Sequence, residues 1–419
     1  VNAPHPALRL SDRIAELLTD PAAAPVAWSS RPQWRQSLAH GAPGIALLHI
    51  ERAATGLGPW EPVRAWLSIA AGPAVTSGTD SYLYYGAPAL AHALTCAAQA
   101  RPGTYQRALD HLDQVVAADA LRRCDQAEAR TARGDLPALA EFDTIRGLTG
   151  IGSVLLRRAP DGEPIRRILT CLVRLTEDVK HDGEVLPGWW TLAGPSGERD
   201  ERFPGGHANN GLAHGIAGPL ALLALALRRG VEVDGQREAL RTVLAWLERW
   251  RDGHAWPYWI TPAHLTGPDR RPLAPQRPSW CYGTAGIARA QQLAAAALTD
   301  PHLRNDAESA LATALVDPKA LATTTDLSAC HGYAGLAHIA HRAAADASPR
   351  NAGRLRSAAA LLLDTTHPPY ADPDEQAHRL LATAGPAFLE GAAGTALALL
   401  APATDSTPAT RWDACLLTS

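Results

Sequence analysis

The stretch His214-Gly215-Ile216-Ala217-Gly218-Pro219-Leu220-Ala221-Leu222-Leu223 decides how this chain reads. A Gly-x-x-Gly pair opens a run that carries no charge on any side, and such a helix is stable only when it is buried nearly all round. The same pair recurs at Gly41/Gly44, Gly147/Gly150, Gly283/Gly286, Gly332/Gly335 and Gly391/Gly394. A degenerate copy sits at Gly86, where Ala89 stands for the second glycine. Successive copies are 45 residues apart (Gly41 to Gly86) to 68 apart (Gly215 to Gly283), and they cover nearly the whole chain. Self-similarity of that kind signals a repeat architecture.

Amphipathic segments lie between the apolar runs. Leu240, Val243, Leu244 and Leu247 fall at i, i+3, i+4 and i+7, with Arg241 and Glu248 on other faces. Ile165, Ile168, Leu169 and Leu172 do the same beside Arg166, Arg167 and Arg174. Each repeat therefore offers one buried and one exposed helix. Seven such pairs closed into a ring give an all-α fold, a double-layered α/α toroid; an open superhelix is the alternative that periodicity leaves standing. The glycines are expected to let backbones pack closely where inner helices begin, and to leave N–H groups aimed at the ring centre. Two stretches do not read as helices: residues 184–211, rich in Gly and Pro, and residues 251–279, with six prolines and the strand-like Trp256-Pro257-Tyr258-Trp259-Ile260. They are expected to be long loops or a small inserted β-containing subdomain.

A formal charge of −3 supplies no basic excess to match nucleic acid or an anionic membrane. No apolar run reaches the ~20 residues that span a bilayer, and residues 1–13 lack a signal pattern, so the expected compartment is the cytoplasm. Six cysteines are too few for a disulfide scaffold in a chain of 419 residues. Clustered ones read instead as ligands or nucleophiles.

The repeat supplies a register in which to look for clusters. One position before the first glycine stand His40, Tyr85, Arg146, His214, Tyr282, His331 and Glu390; two before stand Ala39, Tyr84, Ile145, Ala213, Cys281, Cys330 and Leu389. Random placement would put about 0.1 cysteine in that second register, so two there are not chance. Cys281, Cys330 and His331 make a three-ligand set suited to Zn²⁺ with a fourth position open, although two buried cysteines beside a capping histidine would look the same. Two thiolates cancel the charge of the ion, which favours activating a thiol over hydrolysing with water. The other four, Cys96, Cys124, Cys171 and Cys415, share no register and read as small buried residues. His214 is a candidate acid/base or a helix-capping residue. Asp143 is a candidate partner for it or an N-cap. Arg277 is a candidate stabiliser of an enolate oxyanion or a surface residue.

Three segments resemble the signature motifs of the lanthionine synthetase C-like cyclases: Asn210-Gly211-Leu212-Ala213-His214-Gly215-Ile216-Ala217-Gly218, Ser279-Trp280-Cys281-Tyr282-Gly283-Thr284-Ala285-Gly286 and Cys330-His331-Gly332-Tyr333-Ala334-Gly335. Weaker similarity extends through Phe142-Asp143, Gly147-Leu148-Thr149-Gly150, Leu389-Glu390-Gly391 and the closing Trp412-Asp413-Ala414-Cys415-Leu416-Leu417. The resemblance implies a single toroid domain over residues 1–419, Zn²⁺ on Cys281, Cys330 and His331, His214 as acid/base, Asp143 and Arg277 as supporting groups, and Trp280 and Tyr282 near the metal. It implies a stand-alone cyclase that closes lanthionine and methyllanthionine rings in a dehydrated precursor peptide carrying a leader. Whether the chain docks with a separate dehydratase and transporter at the membrane stays open. Three other classes compete: thiol-activating prenyltransferases, which need a carboxylate ligand and a second subunit; sugar-processing toroids, which need paired carboxylates where this register offers only Glu390; and a non-catalytic relative that binds glutathione or peptide.

Overall fold

In the computed structural model of the chain, residues 5–24, 30–72, 74–267, 274–368 and 371–419 are described; residues 1–4 and 268–273 of the stretches read above lie outside them. Every glycine motif opens a helix: Ala42–Ala54, Ala87–Ala100, Leu148–Arg158, Ala217–Arg228, Thr284–Leu298, Tyr333–Asp346 and Ala392–Thr404. The run that carried no charge, Ala217–Arg228, is buried from Ala217 through Leu227. The helices that follow are one-sided. Glu163–Arg174 buries Ile165, Ile168, Leu169 and Leu172, and Gln236–Trp250 buries Leu240, Val243, Leu244 and Leu247. Each such side chain contributes about 1.5–3 kcal/mol by leaving water.

The chain divides into two compact units. One comprises residues 1–113, 324–415 and 419. Within it Tyr333–Asp346 packs on Ala392–Thr404, which packs on Ala42–Ala54, which packs on Ala87–Ala100, so the last repeat lies against the first. An open superhelix would keep those two apart. Helix Pro6–Leu17 packs on Ala392–Thr404 and serves the seventh repeat as its outer helix. Leu10 and Ile14 are buried there, and Ser11 Oγ donates to the Ala396 carbonyl at 2.9 Å. The periodicity gave no sign of this partner, because it stands at the opposite end of the sequence from the helix it covers.

The other unit comprises residues 114–323 and 416–418. Leu148–Arg158, Ala217–Arg228 and Thr284–Leu298 pack side by side in it, with Glu163–Arg174, Gln236–Trp250 and Pro301–Ala314 outside them. The non-helical stretches contribute short strands. Val179–His181 pairs antiparallel with Glu184–Leu186, while Trp190–Thr191, His207–Asn209 and Trp259–Ile260 form a three-stranded antiparallel sheet that joins the two stretches. Asn210, fully buried, ties this sheet to the helices: its amide donates to the Pro257 carbonyl at 2.8 Å and its Oδ1 accepts from Trp246 Nε1 at 2.8 Å. Among the described residues no helix is long and apolar enough to cross a membrane.

Candidate metal centre

The turn that opens each glycine helix is where the candidate residues gather. In four repeats the residue four before the first glycine closes this turn with its side chain and its carbonyl; Ser37 does so by accepting from His40 N at 3.1 Å and Gly41 N at 2.9 Å. Asp143 Oδ1 accepts from Arg146 N at 2.6 Å and Gly147 N at 2.8 Å, and its carbonyl accepts from Gly150 N at 3.3 Å. Ser279 Oγ accepts from Tyr282 N at 3.3 Å and Gly283 N at 3.0 Å, and its carbonyl takes Gly286 N at 3.2 Å. Ser328 Oγ accepts from His331 N at 3.1 Å, and its carbonyl takes Gly332 N and Gly335 N. In the repeats of Asp143, Ser279 and Ser328 the glycine N–H groups expected to point at the ring centre are thus consumed inside the turn. The expectation fails there because a buried N–H must be paired locally when the chain offers it an acceptor.

The register two before the glycine is a backbone-bonded belt. In one unit Ala213 N donates to the Cys281 carbonyl at 3.0 Å, and Thr144 N, one residue ahead of this register, donates to the Ala213 carbonyl at 3.0 Å. In the other, Cys330 N donates to the Leu389 carbonyl at 2.9 Å and Leu389 N to the Ala39 carbonyl at 3.1 Å. The cysteines therefore sit on main chain fixed by hydrogen bonds from repeat to repeat, which leaves little freedom to their Cβ positions.

The ligand atoms of Cys281, Cys330 and His331 lie within 4.8 Å of one another. Donors held about 2.0–2.3 Å from a tetrahedral ion are roughly 3.3–3.8 Å apart, so an ion would draw the three atoms together. Both cysteines are 7% exposed. The Cys281 thiol donates to Ser279 Oγ at 3.4 Å. Because that oxygen already accepts two backbone N–H groups, its own proton is placed to donate back once the sulfur ionises. His331 Nε2 lies 3.3 Å from Asp326 Oδ2. Two soft, buried sulfurs and a half-buried imidazole fit zinc by donor type.

His214 Nδ1 lies 2.7 Å from Asp143 Oδ2, the oxygen that the turn does not use. The aspartate is buried and the histidine side chain is 29% exposed. Thr144 Oγ1 donates to the Leu212 carbonyl at 2.6 Å, pinning the two loops together. Asp143 is thus a histidine partner through one oxygen, while the other closes the turn ahead of the helix rather than capping it, since the N-cap of Leu148–Arg158 is Gly147. The Tyr282 ring centroid lies 5.9 Å from that of His214, with Tyr258 5.9 Å further along.

Arg277 is half-buried beside Tyr258, whose hydroxyl donates to the Arg277 carbonyl at 3.2 Å. Burial pushes the Tyr258 phenol up, and the Arg277 charge opposes it. Trp280 has a structural contact: its buried indole donates to the Leu416 carbonyl at 2.8 Å. Cys96, Cys124, Cys171 and Cys415 are buried in the core. Ser279 and Asp326 were missed from sequence, although their fixed offsets from the glycines could have drawn attention to them.

Comparison with known proteins bears on the whole chain. The family described as lanthionine synthetase C-like protein matches residues 32–417. Nisin biosynthesis protein NisC of Lactococcus lactis subsp. lactis is 26% identical over 211 residues, which is 48% of this chain and 48% of that relative, so the match spans about half of its length. A solved structure of nisin cyclase superposes with a TM-score of 0.72 over 93% of this chain and 95% of its own, at 22% identity. At that identity the likeness speaks for the fold, and the fold is the α/α toroid that the repeats implied. The glycine turns, the belt and the three cysteine- and histidine-bearing motifs all fall inside the matched span: the chain belongs to the lanthionine synthetase C-like family.

Proposed function

We propose that this protein is a zinc-dependent cyclase that joins peptide cysteines to dehydroalanine or dehydrobutyrine in a dehydrated lantibiotic precursor, giving lanthionine and methyllanthionine. The observation that carries the reading is the meeting of the Cys281, Cys330 and His331 ligand atoms within 4.8 Å. The His214–Asp143 pair in the same family span adds to it. Cys281, Cys330 and His331 would hold the ion, whose chemistry when bound is to lower the pKa of an incoming thiol while leaving its sulfur nucleophilic.

This chain's own residues then handle protons and charge. Asp143 at Nδ1 keeps the proton on that nitrogen, so His214 presents the Nε2 lone pair. Nε2 takes the proton of the peptide thiol. The sulfur lone pair forms the C–S bond at the β-carbon, and the alkene π-electrons move onto the neighbouring amide as an enolate, which Arg277 stabilises by charge. The α-carbon regains one proton from the His214 imidazolium, so the addition leaves no net change in mass or oxidation state. The whole chain acts as one domain, and its partner is the leader-bearing precursor.

Because ring closure is mass-neutral, the test counts thiols. Zinc-loaded protein is incubated with a dehydrated, leader-bearing precursor, and the remaining thiols are alkylated and weighed by mass spectrometry. The reading expects alkylatable cysteines to disappear with wild type and to persist with Cys281→Ala. Thiols that persist with zinc-loaded wild type, despite binding of the peptide, would make this a peptide-binding relative.

A further inference from the structure

We infer that Asp326 is the positioning residue of the metal centre: it holds His331 by Nε2 and so makes Nδ1 the nitrogen that faces the ion. This rests on the proposal that Cys281, Cys330 and His331 bind zinc.

Asp326 lies six residues before Gly332, a register shared with Asn209 before Gly215. Both make the same local turn. Asp326 Oδ1 accepts from Ser328 N at 2.8 Å, and Asn209 Oδ1 accepts from Gly211 N at 2.9 Å. The turn therefore needs one side-chain oxygen and no charge. Asp326 carries a second oxygen, and that oxygen is the one 3.3 Å from His331 Nε2. Its main chain is also tied down, since Tyr333 N donates to the Asp326 carbonyl at 3.1 Å. The carboxylate is thus part of the loop that carries Cys330 and His331.

An imidazole with its Nε2 proton directed at a carboxylate presents its lone pair at Nδ1. The contrast with His214 is informative. That histidine occupies the same repeat position but is held by Asp143 at Nδ1, so it presents Nε2. Two histidines in one register are thereby given opposite tautomers by two acids at different offsets, one suited to proton transfer and one to ligation. A carboxylate behind a ligating histidine fixes the ring and strengthens its donor nitrogen, and its loss weakens metal binding by about 10–100-fold.

Asp326→Asn separates the two duties. Asparagine keeps the turn, as Asn209 does, but can turn an NH₂ donor toward Nε2, which favours the tautomer protonated at Nδ1. Zinc affinity is measured by competition with a chromophoric chelator, with thermal melting as the fold control. The histidine ¹⁵N shifts of the metal-free protein report the tautomer directly. The expected results are zinc binding about 10–100-fold weaker in Asp326→Asn at unchanged melting, and an Nε2–H tautomer for His331 in metal-free wild type. Unchanged zinc affinity in a folded Asp326→Asn, or an Nδ1–H tautomer in wild type, overturns the inference. If Asp326→Asn does not fold, the wild-type tautomer decides alone. Failure of the wild type to bind zinc tightly sinks the cyclase proposal instead, and is read separately from the tautomer.

Discussion

Asp143 shows how one side chain serves two levels of organisation. Its Oδ1 closes a turn that serine closes in other repeats, and its Oδ2 holds His214. Asparagine at 143 retains the turn acceptor and presents the wrong group to His214. On the proposed mechanism, Asp143→Asn lowers kcat for cyclisation by about 10²–10⁴-fold, the range of general acid–base catalysis. Zinc content and unfolding midpoint should stay near wild type. Asp143→Ala goes further, because two backbone N–H groups lose their acceptor at about 1–3 kcal/mol each. Steady-state rates set beside urea denaturation of the two variants check this; equal stabilities would refute the double duty. His214→Ala should match Asp143→Asn in rate and leave bound zinc unchanged by elemental analysis.

Among the elements, the glycine-opened helix is the unit that repeats, and its second glycine is a steric requirement. A Cβ on Gly286 would collide with the Trp280 carbonyl and press on Leu212. That crowding belongs to the close approach of helix and turn, so alanine should cost about 1–3 kcal/mol or more as overpacking does. The degenerate repeat makes the control, since Ala89 already occupies the equivalent position with no exposure. Ala89→Gly should cost only the ~1 kcal/mol helix penalty of glycine. Urea midpoints for Gly286→Ala and Ala89→Gly read this; a Gly286→Ala midpoint no lower than that of Ala89→Gly would contradict it. The outer helices were legible because their i, i+3, i+4, i+7 faces survive in sequence. Pro6–Leu17 as partner of the seventh repeat was not, because that pairing joins residues nearly 400 positions apart, as in the 385-residue separation of Ser11 and Ala396.

Across the whole molecule, buried histidines link stability to pH. Burial lowers His49 to about 4 against the help of the Leu18 carbonyl, and lowers His207 to about 4 against the help of the Ala193 carbonyl. Nε2 of His207 has no hydrogen-bond partner among the described residues, as suits a neutral ring. In the unfolded chain both titrate near 6.5. Between pH ~6.5 and ~4 the unfolded state binds more protons, so the stability these rings contribute is complete above ~6.5 and is lost as pH falls through ~4. Each contributes roughly 3 kcal/mol to that loss. Denaturation free energies measured from pH 7 to 4 should fall, and His207→Gln should flatten the slope; an unchanged slope would show that His207 is not a titrating group.

By itself, the sequence determined the glycine-opened helices and the amphipathic helices between them, the repeat number, the all-α class and the register that singles out Cys281, Cys330, His331 and His214, because these depend on local periodicity and fixed offsets from glycine. It held Asp143 and Arg277 only as alternatives, since a carboxylate that caps and one that orients a histidine have the same spelling. Tertiary structure alone decided which oxygen of Asp143 faces His214, that Asp326 stands behind His331, that Trp280 anchors the Leu416 carbonyl, and that the glycine N–H groups at Gly147, Gly283 and Gly332 are spent within their turns. Those outcomes depend on where side chains converge after distant repeats pack, and a one-dimensional period carries no record of that convergence.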